Sequence, residues 1–149
     1  MDALVIYSMY TYGEIYMILM ELTRIVIAET SDEQVIVLKE VNGSRSFPIV
    51  IGSYEAVAIN RKIKEVRTPR PLTHDLIENI LAGLKASLES IEITQLKNNT
   101  FYARLILKSN GQKASIDSRP SDAIVLATQM KSPIYVNEEV LDKVARSGD

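Results

Sequence analysis

Six consecutive residues, Asp117-Ser118-Arg119-Pro120-Ser121-Asp122, put two carboxylates, one guanidinium and two hydroxyls side by side. They fall where a short strand should give way to a helix, and helix N-terminal amides at such a turn can join side chains in holding an anion or a metal-bound ligand. A second stretch, Arg70-Pro71-Leu72-Thr73-His74-Asp75, follows the same order: Arg-Pro, then a hydroxyl residue, then an Asp in the first turn of an apolar helix. If the two helix starts meet, Asp75, Asp117 and Asp122 offer oxygen ligands to Mg²⁺ or another divalent cation, while Arg70 and Arg119 neutralise a phosphate. His74, the one imidazole of the chain, can move a proton near neutral pH. Each feature also has a plain structural use: Thr73, Ser118, Ser121 and Asp122 can cap or charge-balance helices, and Glu55, another acid at a helix start, is stabilising there in any protein.

Those turns need strands and helices to hold them. The β-branched residues Thr23, Ile25, Val26 and Ile27 predict a strand over 19–28, and 34–40 (QVIVLKE) predicts another, with Asp32 and Glu33 at the turn between them. Asn42-Gly43 predicts a two-residue hairpin, because both residues tolerate positive φ, so 45–51 should return antiparallel. Ser53 then caps a helix burying Ala56, Val57, Ile59 and Ile63. Its far end is basic, with Arg61, Lys62, Lys64, Arg67 and Arg70 against Glu65. That cluster reads first as a solvated helix end and second as a phosphate-binding face.

Thr68-Pro69-Arg70-Pro71 cannot continue a helix, and Thr73 is expected to cap the next one. Its stripe of Leu76, Ile77, Ile80, Leu81, Leu84 and Leu88 predicts a buried face. Strands follow over 90–96 and 100–108, joined through Asn98-Asn99, and a short strand over 113–117 leads into the motif. The motif's helix should carry Ala123, Ile124, Ala127 and Met130 inward and stop before Pro133. A last strand over 134–136 and a helix over 138–145, capped by Asn137, complete a pattern of antiparallel hairpins punctuated by single helices. The fold class is α+β, a single compact domain with an antiparallel-rich mixed sheet and three to four helices. Residues 1–16 show neither period and are taken as an N-terminal extension or a misplaced start, with the domain over 17–149.

Bulk composition excludes several chemistries. With 149 residues, 46% of them hydrophobic, the chain suits one domain with a sizeable core. Having no cysteine, it has no disulfide, thiolate metal site or cysteine nucleophile. A net charge of −2 argues against coating nucleic acid by bulk electrostatics, though local basic patches remain. The apolar first twenty residues lack a basic start and are broken by Asp2 and Glu14, which argues against a signal peptide or membrane span and for a cytoplasmic protein. No phosphate loop, Gly-rich dinucleotide turn, nucleophile elbow or zinc signature occurs.

Taken as an ordered set, Ile49-Val50-Ile51-Gly52 with Glu55-Ala56, Arg70 through Leu76, Asn99 through Ala103, and Ile116 through Ile124 resemble the bifunctional nuclease domain family. The match spans about 17–136. It departs from the family where Val50 replaces a frequent Trp and where 109–112 replaces an acidic insertion. The resemblance implies a compact α+β domain that self-associates as a homo-oligomer, and an activity on both DNA and RNA. The polar positions it marks are Glu55, Arg70, Thr73, His74, Asp75, Asp117, Ser118, Arg119, Ser121 and Asp122.

Two functions follow as expectations. In the first, the protein is a metal-assisted nuclease of low sequence specificity: Asp75, Asp117, Asp122 and Glu55 hold the cation, Arg70, Arg119, Thr73 and Ser121 contact the substrate, and His74, Asp117 and Asp122 are catalytic. In the second, the same residues form a hydrogen-bonded knot, a subunit interface or a small-anion site in a non-enzymatic oligomeric domain.

Overall fold

In a computed structural model, which describes residues 9–12 and 15–145 and the side chains of 16–144, one mixed sheet carries the helices. Its strands are β1 (Met9–Tyr12), β2 (Ile15–Val26), β3 (Glu33–Glu40), β4 (Ser46–Gly52), β5 (Ser87–Lys97), β6 (Thr100–Ser109), β7 (Gln112–Ser118) and β8 (Ile134–Asn137). Among the described residues the helices are α1 (Ser53–Ile63), α2 (Thr73–Gly83), α3 (Pro120–Met130) and α4 (Glu138–Ala145). The α+β class stands.

The sheet runs β4-β3-β2-β8-β5-β6-β7, with β1 paired antiparallel to β2 off this path. Two antiparallel meanders, β2-β3-β4 and β5-β6-β7, are thus joined by β8. That short strand lies antiparallel to β2 (Ile18 opposite Val136) and parallel to β5 (Ile93 opposite Val136). Strands β3 and β4 alternate buried and open residues, as a sheet with one covered face requires. Ile36, Leu38, Phe47, Ile49 and Ile51 face the core.

The sheet is rolled. Neighbouring strands lie ~4.8 Å apart, so β4 and β6 of a flat sheet of this order would stand about 24 Å from each other. Yet Phe47 of β4 and Phe101 of β6 hold ring centroids 5.8 Å apart. The helices that spring directly from the edge strands, α1 after β4 and α3 after β7, pack on one another. Rolling brings both helix starts to one place.

Helix α3 fills the roll. Ala123, Ile124, Val125, Leu126 and Ala127 are all buried, because the sheet covers one side and α1 and α2 the other. The predicted inward set of Ala123, Ile124 and Ala127 holds, and enclosure adds Val125 and Leu126 while Met130 stays half-buried.

Several local expectations change. Asn42 and Gly43 keep negative φ, and the connection after β3 spans 41–45 instead of a two-residue turn. The Glu40 carboxylate folds over that loop, accepts the Arg45 backbone N–H at 3.0 Å, and occupies the space a Cβ on Gly43 would need. Asn98-Asn99 and Asn110-Gly111 are the connections with both residues at positive φ. Gly52 and Leu72, not Ser53 and Thr73, are the N-caps of α1 and α2; Ser53 Oγ instead donates to the Asp32 carbonyl at 3.0 Å. Asn137 does cap α4, accepting the Glu139 N–H at 3.0 Å.

Helix α2 forms as its stripe predicts, but only part of the stripe is covered. Leu81 is buried and Ile77 packs on the core, whereas Leu76, Ile80 and Leu84 are 53%, 50% and 69% exposed. Leu88 belongs to β5. One helix against one face can hide only its near side, and nothing else among the described residues covers the far side of α2.

Candidate active site

The rolled sheet delivers three helix starts to one region. Glu55 comes from the first turn of α1, His74 and Asp75 from the first turn of α2, and Arg119 and Asp122 from the N-cap and first turn of α3. No side chain caps α3. The capping account of this motif therefore fails where it was most economical, and the Asp122 carboxylate is committed elsewhere.

It is committed to His74 and Arg119. His74 Nε2 lies 2.9 Å from Asp122 Oδ1, and Arg119 donates through Nε to Asp122 Oδ2 at 2.9 Å. Arg119 Nη2 then reaches Glu55 Oε1 at 2.7 Å. The result is a continuous chain, Glu55 to Arg119 to Asp122 to His74, that ties the starts of α1, α2 and α3 together. Glu55 first, and Asp122 second, raise the pKa of the Arg119 guanidinium above its already high value. Glu55 is buried, and Gly52 makes room for it: a Cβ there would stand 2.5 Å from Glu55 Oε2.

Because an ionised carboxylate only accepts hydrogen bonds, Asp122 selects the tautomer of His74 with the proton on Nε2. Nδ1 then keeps its lone pair, so the imidazole is oriented as a base by a carboxylate partner. His74 and Asp122 meet in a groove of about 1260 Å³ between α1, α2 and the end of β7. Thr73, Asp117, Ser118 and Arg119 also line it, with Tyr54, Val57, Leu72, Ile77, Leu105 and Ile116 as apolar walls.

A second pocket of about 470 Å³ shares Ala58, Arg61, Pro71, Leu72 and His74 with the first. It is lined by Arg61, Lys62, Arg67 and Arg70, with Asp75 and Glu78 on the opposite charge. Among the described residues, none of these four cations forms an ion pair. Asp75 and Glu78 are both held by Gln129 Nε2, at 3.2 and 2.9 Å, and Asp75 Oδ2 also accepts the Leu72 N–H at 2.9 Å. The basic cluster at the end of α1 is thus a pocket wall beside the one imidazole, not merely a solvated helix end.

The predicted residues separate into groups. Glu55, His74, Arg119 and Asp122 come together as one hydrogen-bonded chain. Asp117, exposed, and Thr73, exposed, line the same groove without joining that chain, and Ser118 Oγ donates to the Arg119 carbonyl at 2.8 Å. Asp75 and Arg70 line the basic pocket, and Ser121 is buried beside a different depression near Phe101. Among the described residues no three His, Asp or Glu side chains gather at metal-holding distance. Gln129, the penultimate residue of α3, is a residue that sequence reasoning missed; only its spacing from Asp122 along the helix, two turns on, signalled it.

The family model for the bifunctional nuclease domain matches residues 36–148. An uncharacterized protein of Mycobacterium tuberculosis is 43% identical over 115 residues, which cover 77% of this chain and 68% of that one. Bifunctional nuclease 1 of Oryza sativa subsp. indica is 28% identical over 116 residues, and Bifunctional nuclease 2 of Arabidopsis thaliana 29% over 107. This chain covers 75% and 69% of itself in those matches but only 35% and 32% of the two plant proteins.

Proposed function

This chain belongs to the bifunctional nuclease domain family, and we propose that it hydrolyses phosphodiester bonds in DNA and RNA with little regard to sequence. The observation that carries the reading is the His74–Asp122 pair standing where an open groove meets a pocket of unpaired cations. Arg61, Lys62, Arg67 and Arg70 bind backbone phosphates, which carry no sequence information. His74 Nδ1 takes the proton of the attacking water as its oxygen bonds to phosphorus; the bond to the leaving oxygen breaks, and that oxygen takes a proton back from the imidazolium or from solvent. Asp122 holds the ring and steadies its charge, while Glu55 and Arg119 hold Asp122. General-base help of this kind contributes typically ~10²–10⁴-fold in rate.

The donor set in this arrangement does not fit a divalent cation. Asp122 and Glu55 share the one guanidinium of Arg119, Asp75 accepts from Gln129 and Leu72, and no three carboxylate or imidazole side chains gather among the described residues. The test is degradation of single-stranded RNA and DNA by highly purified protein, with Mg²⁺, Mn²⁺ or chelator. His74→Ala and Asp122→Asn should each lose about 10²-fold or more in kcat. Wild-type protein inert under every condition, or His74→Ala at full activity, refutes the reading.

A second reading has its own support in the uncovered side of α2. Leu76, Ile80 and Leu84 form an apolar row that would be buried against another copy of the chain, giving a homo-oligomer. Light scattering on Ile80→Glu and Leu84→Glu should report a smaller particle than wild type. An unchanged mass removes this interface.

A further inference from the structure

The groove and the basic pocket are chemically unlike, and together they describe a ligand. We infer that the site takes single-stranded nucleic acid, with backbone phosphates in the basic pocket and an unstacked base against the apolar wall of the groove around Tyr54, Val57 and Ile116. The inference rests on the nuclease reading for the class of polymer and goes beyond it in naming the strand state.

The charge of the pocket sets the first half of the argument. Arg61, Lys62, Arg67 and Arg70 face one space and have no acidic partner, while the two carboxylates there are already held by Gln129. Four cations against those two carboxylates leave the space of about 470 Å³ net positive, and backbone phosphates supply the remaining counter-charge. Duplex and single strand would satisfy this half equally.

The apolar wall decides between them. Tyr54 is 90% exposed, and Val57, Leu72 and Ile116 are exposed beside it in the space that also contains His74. A phosphodiester gains nothing from such a wall, but the flat face of a base does, and stacking on an aromatic ring is worth ~1–3 kcal/mol per base. In a duplex those faces are hidden within the stack, so only a single strand or a splayed base can use the groove. The two spaces share Ala58, Arg61, Pro71, Leu72 and His74, so a strand with its phosphates in one and a base in the other passes the imidazole.

Fluorescence anisotropy in chelator, with a labelled oligothymidylate and a hairpin duplex of equal length, tests this directly. Wild type should prefer the single strand. Tyr54→Ala should weaken single-strand binding roughly 5- to 150-fold, the equivalent of one lost stack, and leave hairpin binding and the melting temperature unchanged. Arg67→Gln should flatten the salt dependence of log K by about 0.7. Equal affinity for hairpin and single strand, or an unaffected Tyr54→Ala, overturns the inference. So does a wild-type oligomer that Tyr54→Ala dissociates without touching affinity, which would give the wall to a second copy of the chain. Binding that holds while neither strand type is ever cut rejects the nuclease reading alone; cutting without strand preference rejects the inference alone.

Discussion

Replacing Arg104 with Ala should cost more than replacing Glu92, its partner, with Gln. Glu92 sits mid-strand in β5 and is 1% exposed; its Oε1 takes both Arg104 Nε and Nη2 at 2.6 Å, and its Oε2 has no hydrogen-bond partner. Arg104, on the adjacent β6, keeps 39% of its side chain exposed. The desolvation cost of the pair therefore falls almost wholly on the carboxylate. Removing the guanidinium strands a buried charge, which costs about 3–5 kcal/mol. For a chain of this size that is roughly 6–20 °C in melting temperature, at ~2–4 °C per kcal/mol. Glu92→Gln removes the buried charge and keeps an acceptor for Arg104, which water can solvate, but leaves the new amide N–H₂ buried without a partner, so it should cost about 1–3 kcal/mol. Urea denaturation followed by circular dichroism measures both. Tyr135 supplies an independent readout: burial first, and the Glu92 charge second, push its phenol above the ordinary value of 10.0. In Glu92→Gln that ionisation should fall part of the way back. Equal destabilisation by the two substitutions, or a Tyr135 titration indifferent to Glu92→Gln, would refute the assignment of a buried charge to Glu92.

Gly52→Ala should leave the fold intact, since Gly52 has φ −74° and ψ 162°, yet it should push the Glu55 carboxylate off Arg119 and lower the proposed nuclease activity; full activity with an unchanged melting temperature would count against a role for that contact. Glu40 gives a pH prediction. Burial alone would raise its carboxyl, but hydrogen bonds from the Arg45 side chain and backbone outweigh burial and hold it below the ordinary 4.5. Its folded pKa being the lower one, the stability it contributes is present above about pH 4.5 and is lost as pH falls through the folded value. Glu40→Gln should therefore flatten the acid limb of the stability curve below that pH, and a limb identical to wild type would remove Glu40 as its source.

Much of this molecule was legible in its sequence because the elements are locally determined. Strand alternation, Asn98-Asn99 at its turn, Asn137 at its cap and the stripe through Ile77 and Leu81 each depend on neighbours within a few residues. Asn42-Gly43 misled because a side chain outside the turn, Glu40, took over the loop's hydrogen bonding. The outer row of α2 misled because periodicity reports amphipathicity and not what covers it. At the site, residue types were readable but pairings were not. Nothing local links Glu55 to Arg119, 64 residues on, or His74 to Asp122, 48 residues on. Those contacts depend on how far the sheet rolls, which no short window encodes. The same holds for the pocket formed by Arg61, Lys62, Arg67 and Arg70, whose meaning came from their forming no ion pair with the two acids, Asp75 and Glu78, that share it.

The rolled sheet has a consequence for the order in which the chain becomes competent. Each meander is built from contacts close in sequence, and each launches its own helix: α1 from β4, α3 from β7. The seam between them is β8, four residues made after every residue of the His74–Asp122 chain has already been made. Until β8 pairs with both β2 and β5, the Glu55 half and the Arg119 half belong to separate sheets. A chain completed as far as Asp122 thus carries all the groups of the site before it carries the strand that joins their two halves.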